Sequence, residues 1–255
     1  MNRVGIVAAL AAEARLLGRA QPHGGVLALA DGTLLVVSGM GPSAAADAAQ
    51  RLLEAGATAL VSFGVAGGLD PALEAGALVL PDEVISADGA RYATAHQWRE
   101  QVAAAVAARY PARRGALLTC REPLCSPAEK AAAFRETGAV AVDMEGFAIA
   151  ATAARRGLPF LAVRSVLDAA ADTLPPTLLG AIDASGVASP GRILAAIVRA
   201  PQEWPAVLRL ARRCRAAARP LAGVARSGTL ASPTGRPQTP AHPPAASTDR
   251  TLGVP

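Results

Sequence analysis

The sequence predicts an α/β fold, a mixed and mostly parallel central sheet flanked by helices. Three observations predict it. Short apolar runs, of the kind that fully buried parallel strands show, alternate with helix-forming segments from residue 3 to about residue 169. The chain, 255 residues and 52% hydrophobic, suffices for one large domain with a substantial core. The helical segments also end on stop signals, as where Gly157 and Pro159 follow the segment Glu145–Arg156. Aromatic residues make up only 3%, so the core has to be built from Ala, Val and Leu.

In chain order, Arg3–Ala8 reads as the first strand and Ala11–Gly18 as a helix carrying Glu13. Val26–Leu29 and Thr33–Val37 form a hairpin around the turn dipeptide Asp31-Gly32. Ser38-Gly39-Met40-Gly41-Pro42 leads into a helix with Pro42 near its first position and Gly56 past its end. Thr58–Phe63 is a buried strand closed by Gly64-Val65-Ala66-Gly67-Gly68, where glycines let backbone amides approach a ligand. Ala77–Ile85 is a strand interrupted by Pro81. A helix around Trp98–Ala108, a strand Gly115–Thr119, a loop Cys120–Ser126 and a helix from Pro127 to about Glu136 follow.

The stretch Ala139–Ala169 then repeats strand, helix, strand, with each strand ending in acid: Asp143 and Glu145 after the first, Asp168 after the second. In an open α/β sheet ligands bind beyond the carboxyl ends of the strands, so these carboxylates should share a crevice. The competing explanation is helix capping, which suits Asp143 best. Asp168 is followed by an Ala-rich run and Pro175-Pro176, a poor start for a capped helix.

Charge is unevenly placed. The net charge is +5, but from Pro190 onward ten Arg face two acids, whereas residues 1–189 carry 15 basic and 18 acidic residues. The basic balance belongs to the C-terminal part, so the domain does not read as a nucleic-acid binder. Cys120, Cys125 and Cys214 show neither metal spacing nor a paired framework and fit a reducing cytoplasm; no metal site is expected. No apolar stretch reaches transmembrane length. The N-terminal MNRVGIVAALAAEA has a leader-like look, but its apolar run is short and Glu13 follows at once. The expected organisation is a domain over 1–189, basic helices over 190–220 (Ile193–Val198 and Val207–Ala218), and a disordered Pro/Ser/Thr/Ala-rich tail over 221–255.

The loop Gly39-Met40-Gly41-Pro42-Ser43-Ala44 matches the G-x-G-x-x-A of dinucleotide-binding proteins. That reading requires an acid at the end of the next strand to hold the ribose. The next strand ends Ser62-Phe63-Gly64, and the loop follows the second βα unit rather than the first. Both features count against the dehydrogenase reading.

Taken together, VGIVAALAAEARLL, SGMGPSAAADAA, ALVSFGVAGGLDPALEAGALVLPDEV, AVDMEGFAIA and VRSVLD, in this order over roughly residues 3–170, resemble the nucleoside phosphorylase/nucleosidase superfamily. The resemblance is closest to the methylthioadenosine/S-adenosylhomocysteine nucleosidases. AVAVDMEGFAIA, VRSVLDAAADTLPP and the Arg-rich segment after APQEWP look most like the hopanoid-biosynthesis-associated phosphorylase branch. The resemblance implies a three-layer fold and cleavage of an N-glycosidic bond with release of adenine. Such a reaction builds oxocarbenium character on the ribose and negative charge on the base, which calls for anionic groups at one end and acid help at the other. By resemblance, Asp168 is the purine-facing acid, with a pKa raised by burial. Glu145 accepts from the ribose hydroxyls, Met144 packs on the sugar, and Glu13 activates water. Val142, Val65, Gly67 and Gly39 line the substrate site.

Departures from the family pattern are informative. Val65 stands before Ala-Gly-Gly where hydrolases carry a small hydroxyl residue, and Leu167 stands where they carry Ser. Residues 119–126, TCREPLCS, lack a purine-stacking aromatic, leaving Arg121, Glu122 or Pro123 to shape that wall. Phosphate as co-substrate would need anchors from Gly64–Gly68, Gly39–Gly41 or Arg164, and the nucleophile, water or phosphate, stays open. No other cofactor is implied. The favoured substrate is adenosylhopane, with methylthioadenosine or S-adenosylhomocysteine next; the alternative of another class is a nucleotide-binding relative without turnover. The resemblance further implies a homodimer or higher homo-oligomer. The location expected is cytoplasmic, with the Arg-rich helix either a solvated face or a peripheral contact to anionic lipid.

Overall fold

The computed structural model describes residues 3–18, 24–173 and 204–233. One mixed sheet organises them, flanked by helices, as the alternation of apolar strands and helices predicts. Strand β1 (Val4–Ala8) lies between β3 (Leu34–Val37) and β4 (Ala59–Gly68), parallel to both, with β2 (Leu27–Ala28) antiparallel on the outer side of β3. The middle of β4 is buried on both faces, which explains its apolar run.

β4 does not stop at Phe63 as expected. Ala8 of β1 pairs with Phe63, and β4 continues through its glycines to Gly68. There it acquires a new antiparallel neighbour, β10 (Ala141–Asp143), with Val142 opposite Gly67 and Ala141 opposite Gly68. Gly67 permits this approach: a Cβ on it would lie 3.2 Å from Cγ1 of Val142. On its other edge β4 pairs in parallel with β11 (Phe160–Asp168), whose register shifts between Val166 and Asp168.

Beyond β10 the sheet continues through β9 (Ala116–Thr119), β6 (Glu83–Ser86) and β7 (Arg91–Ala93). The single strand expected over Ala77–Ile85 is two. Pro81 has no N–H for a ladder, so β5 (Leu78–Val79) pairs with β11 and with β8 (Ala112–Arg113), while β6 joins β9. Helices α1 (Ala11–Leu17), α2 (Pro42–Glu54), α3 (His96–Val106), α4 (Pro127–Thr137) and α5 (Gly146–Arg155) connect the strands. Ala45, Ala48, Ala49 and Leu52 of α2 bury their side against Ile149, Ala150 and Ala153 of α5, a small-residue contact that brings these helices close.

The C-terminal part departs most from expectation. Helix α6 (Trp204–Arg226) runs straight through Pro220 into the stretch expected to be disordered. Pro220 removes one backbone hydrogen bond, but Ala217, Leu221 and Val224 are fully buried against β11, α1 and α3. Each such Leu or Val contributes about 1.5–3 kcal/mol by burial, enough to carry the helix past a proline. A 3₁₀ turn, Thr229–Ala231, follows, held by the Trp98 indole N–H donating to the Thr229 carbonyl at 3.0 Å. The boundaries at 190 and 221 therefore do not separate an appendage and a tail from the domain: residues 204–233 complete it. The segment Ile193–Val198 and everything after residue 233 lie outside the described residues. None of the described helices is long and apolar enough to cross a membrane.

Leu221→Ala should therefore cost about 2–5 kcal/mol in urea unfolding, as for a core leucine. Ending the chain at Pro220 should abolish cooperative unfolding, whereas loss of a disordered tail would leave it unchanged.

Candidate active site

The crevice opens where β4 outruns β1. The next free strand amide, that of Val65, finds no backbone partner on that side and donates to Oε1 of Glu13 at 2.9 Å. The other oxygen of Glu13 accepts from the Leu10 N–H at 2.9 Å, half of a capping arrangement at the start of α1. Gly64 makes room: a Cβ there would stand 2.5 Å from Oε1. Glu13 is thus no exposed first-turn residue; it is buried, and desolvation pushes its pKa up against the two amides and the Arg164 charge.

The three acids of the central stretch separate by role. Asp143 caps α5, accepting from the Gly146 N–H at 2.9 Å, and takes the Arg164 Nε and Nη2 at 3.0 and 2.6 Å and the Thr119 hydroxyl at 2.6 Å. Every polar contact Asp143 makes is structural. Glu145 occupies the N-cap position of α5 without capping it. Its carboxylate crosses the crevice to the amino end of α2, where Oε1 accepts from the Gly41 N–H at 2.8 Å. Burial, then the Asp143 charge, raises its pKa to about 7 against the Gly41 hydrogen bond and Arg164.

Asp168 stands at the far side, at the end of β11. Burial raises its pKa too, opposed first by Lys130, whose ammonium forms a buried ion pair with Oδ2. Lys130 is the one lysine of an arginine-rich chain. That singularity is a signal the sequence carries for the residue, although nothing local ties it to Asp168.

Between these groups lies a cavity of ≈ 160 Å³. Of the residues expected in the site, Glu13, Val65, Gly67, Val142, Met144, Glu145 and Asp168 line it. Gly39 does not; its N–H is held by the Ala9 carbonyl at 3.1 Å, and Met40 reaches the cavity instead. In the loop 119–126 the wall is formed by Pro123 and Leu124, with Arg121 and Glu122 outside it. Leu10, Leu124, Leu167 and Met40 give the cavity a largely apolar surface. Behind Glu13 a separate void of ≈ 10 Å³ is lined by Glu13, Ser62, Gly64, Glu145 and Arg164 among others. Its size is about the lower bound for one water molecule, and its walls offer several polar partners.

Glu145 carries a testable consequence for stability. Its folded pKa, about 7, lies above the ordinary 4.5, so the folded state binds this proton more tightly than the unfolded chain. The group destabilises the fold above pH 7, and that cost disappears as pH falls toward 4.5. Glu145→Gln mimics the protonated form and keeps an acceptor for Gly41. The variant should be more stable than the parent at pH 8, with the difference shrinking by pH 5, in denaturant titrations of both proteins at both pH values.

Comparison with known proteins places this geometry in a family. The model of the phosphorylase superfamily matches residues 3–199. The chain is 32% identical over 190 residues to the futalosine hydrolase of Streptomyces coelicolor, covering 64% of this chain and 80% of that one. It superposes on the 5′-methylthioadenosine/S-adenosylhomocysteine nucleosidase of Neisseria meningitidis, solved with methylthio-immucillin-A, with a TM-score of 0.66 and 21% identity, covering 91% of this chain and all of that one. The corresponding enzyme of Colwellia psychrerythraea, solved with adenine, gives 0.65 and 21%, covering 90% and 96%. At such identities these two structures establish the shared fold. With the family model spanning most of the chain and its carboxylates gathered at the carboxyl ends of the strands, the protein belongs to the phosphorylase superfamily.

Proposed function

We propose that the protein hydrolyses the N-glycosidic bond of an adenosyl nucleoside and releases adenine. The observation that carries this reading is the distribution of charge around the apolar cavity. Two buried carboxylates, Glu13 and Glu145, stand at one side and Asp168 at the other. Carboxylates near the sugar stabilise oxocarbenium character, and a carboxylic acid at the opposite end protonates the departing base. Glu145 receives the ribose 2′ and 3′ hydroxyls, Met144 packs on the sugar, and Asp168 serves the purine N7. Val65, Gly67 and Val142 shape the floor between them.

Water is the nucleophile this arrangement favours. Glu13 lines the cavity itself and, with a pKa raised by burial, is suited to accept the proton of a water there. Phosphate would need an anchoring cation. Among the described residues that line the two voids Arg164 is the cation, and its Nε and Nη2 are spent on Asp143. Two carboxylates facing the nucleophile's position would also repel a phosphate dianion.

The apolar lining supports a nucleoside with a hydrophobic 5′ substituent. Adenosylhopane remains the favoured substrate, with methylthioadenosine and S-adenosylhomocysteine next. The Streptomyces coelicolor relative makes futalosine a further candidate. For a lipid-linked substrate, the Arg-rich face of α6 would provide contact with anionic headgroups; assembly into a homodimer or larger is part of the same proposal.

Purified protein incubated with each of these nucleosides, with and without phosphate, tests the reading by chromatography of the released base. Release of the base, adenine from the adenosyl nucleosides, at equal rates in both conditions is expected. Release that depends on phosphate would overturn the assignment of water, and no base from any nucleoside would leave a binding protein. Asp168→Asn and Glu13→Gln should each lower kcat/KM by about 100-fold or more. Gly64→Ala, whose new Cβ would collide with the Glu13 carboxylate, should reproduce the Glu13→Gln loss without removing any acid; wild-type turnover in it would dissociate Glu13 from the reaction.

A further inference from the structure

Lys130 is unexplained by the sugar and nucleophile ends of the site. It lies in the first turn of α4, a turn fixed by reciprocal bonds between Ser126 and Glu129: the Glu129 N–H donates to the Ser126 hydroxyl at 3.3 Å and Glu129 Oε2 accepts from the Ser126 N–H at 2.8 Å. The residue is 0% exposed, an extreme position for a lysine. An ammonium has three N–H donors, and all three are used. One goes to Asp168 Oδ2, one to the Ala169 carbonyl at 2.9 Å, and one to the Asp172 carbonyl at 2.9 Å. No donor remains for a ligand. The turn it grips is closed from its other side as well, since Asp172 Oδ2 accepts from the Ala169 N–H at 2.9 Å and Oδ1 is ion-paired with Arg213 of α6. Among the described residues, Asp168 Oδ1 accepts no hydrogen bond, and Asp168 lines the cavity.

We propose that Lys130 is the positioning residue for the base end of the site: it holds Asp168 by Oδ2, leaves Oδ1 for the purine, and supplies the countercharge for the carboxylate formed when the proton leaves. The inference rests on the hydrolytic reading above and deepens it. Before cleavage Asp168 carries a proton on Oδ1 while the ammonium of Lys130 bonds Oδ2. As the C1′–N9 bond breaks, its electron pair passes to the purine, and the Oδ1 proton moves to N7. Asp168 is left ionised against Lys130, and the water that adds to C1′ gives its proton to Glu13. Without the cation the same step would create a lone buried carboxylate, which is strongly unfavourable. Burial raises the proton affinity of Asp168, and Lys130 opposes that rise.

The charged and titratable groups facing Asp168 are Lys130 from α4, Cys125 from the loop before it, Asp172 from its own turn and Arg213 from α6, with Glu13 and Glu145 across the cavity. The test uses methylthioadenosine turnover by the full chain. Lys130→Met should lower kcat by about 30-fold with KM within about threefold. It should also move the alkaline limb of the pH profile upward by about one unit, because removing a cation raises the Asp168 pKa. Lys130→Gln keeps an N–H donor and loses only the charge, so it should fold where Lys130→Met does not, with a limb shift in the same direction. In an Asp168→Asn background, loss of Lys130 should cost no more than about threefold further. A limb that stays in place in the folded variants, or an equal loss in both backgrounds, would overturn the role while leaving the nucleosidase reading intact. If the parent releases no base from any nucleoside, that reading fails separately, and calorimetric binding of adenine decides on Lys130: about tenfold weaker binding in the variant supports it, and unchanged binding overturns it.

Discussion

An unpaired strand edge inside a protein has to find partners for its amides. Strand β4 continues past the end of β1, and the amide exposed at Val65 is met by a side chain, the carboxylate of Glu13. That replacement shapes the crevice. A neighbouring strand would have closed the sheet there; a carboxylate leaves space and a charge. Farther along, the same strand's glycines admit β10 from the opposite direction, which brings Asp143, Met144 and Glu145 to the crevice rim. The sheet's change of partner and the site are therefore one feature, in keeping with the rule that α/β sheets bind ligands where strand order switches.

A crevice holding several buried acids is electrostatically costly, and the fold offsets this without neutralising all of them. Arg164, entirely inside, is matched to Asp143, with Nε and Nη2 both donating to Oδ2, so that neither charge is left bare. Glu13 and Glu145 receive only backbone amides, two and one respectively, which is less than full compensation. Their pKa values rise accordingly. At the far side Asp168 receives a full cation yet is still pushed upward by burial. The result is a site in which Glu13, Glu145 and Asp168 all hold their protons more tightly than free carboxyls through surroundings alone, which suits acid–base chemistry.

The C-terminal helix belongs to this arrangement. The inner face of α6 fills the core beside β11, while Arg213 reaches the turn after Asp168. A helix that looked from its arginines like a surface appendage is partly a brace for the base end of the cavity. The helix passes Pro220 because burial of Leu221 and Val224 outweighs the loss of a single backbone hydrogen bond.

Much was determined by local pattern. Apolar runs and glycine or proline stops specified the alternation of strands and helices, and the acids at the ends of β10 and β11 were legible as a candidate site from the sequence. Family motifs added Glu13 and implied a partner within a nucleoside for each acid. Capping already suited Asp143 best by pattern; tertiary structure showed what holds each acid, since both border the cavity but, among the described residues, Asp143 is held by Arg164 and the Gly146 amide and Glu145 by the Gly41 amide alone. It alone showed Met40 in the wall in place of Gly39, and, of Arg121, Glu122 and Pro123, only Pro123 there, joined by Leu124, since a loop's side-chain directions depend on the elements it packs against. It also joined Lys130 to Asp168: the pair is distant in sequence, and nothing local in either segment announces the other.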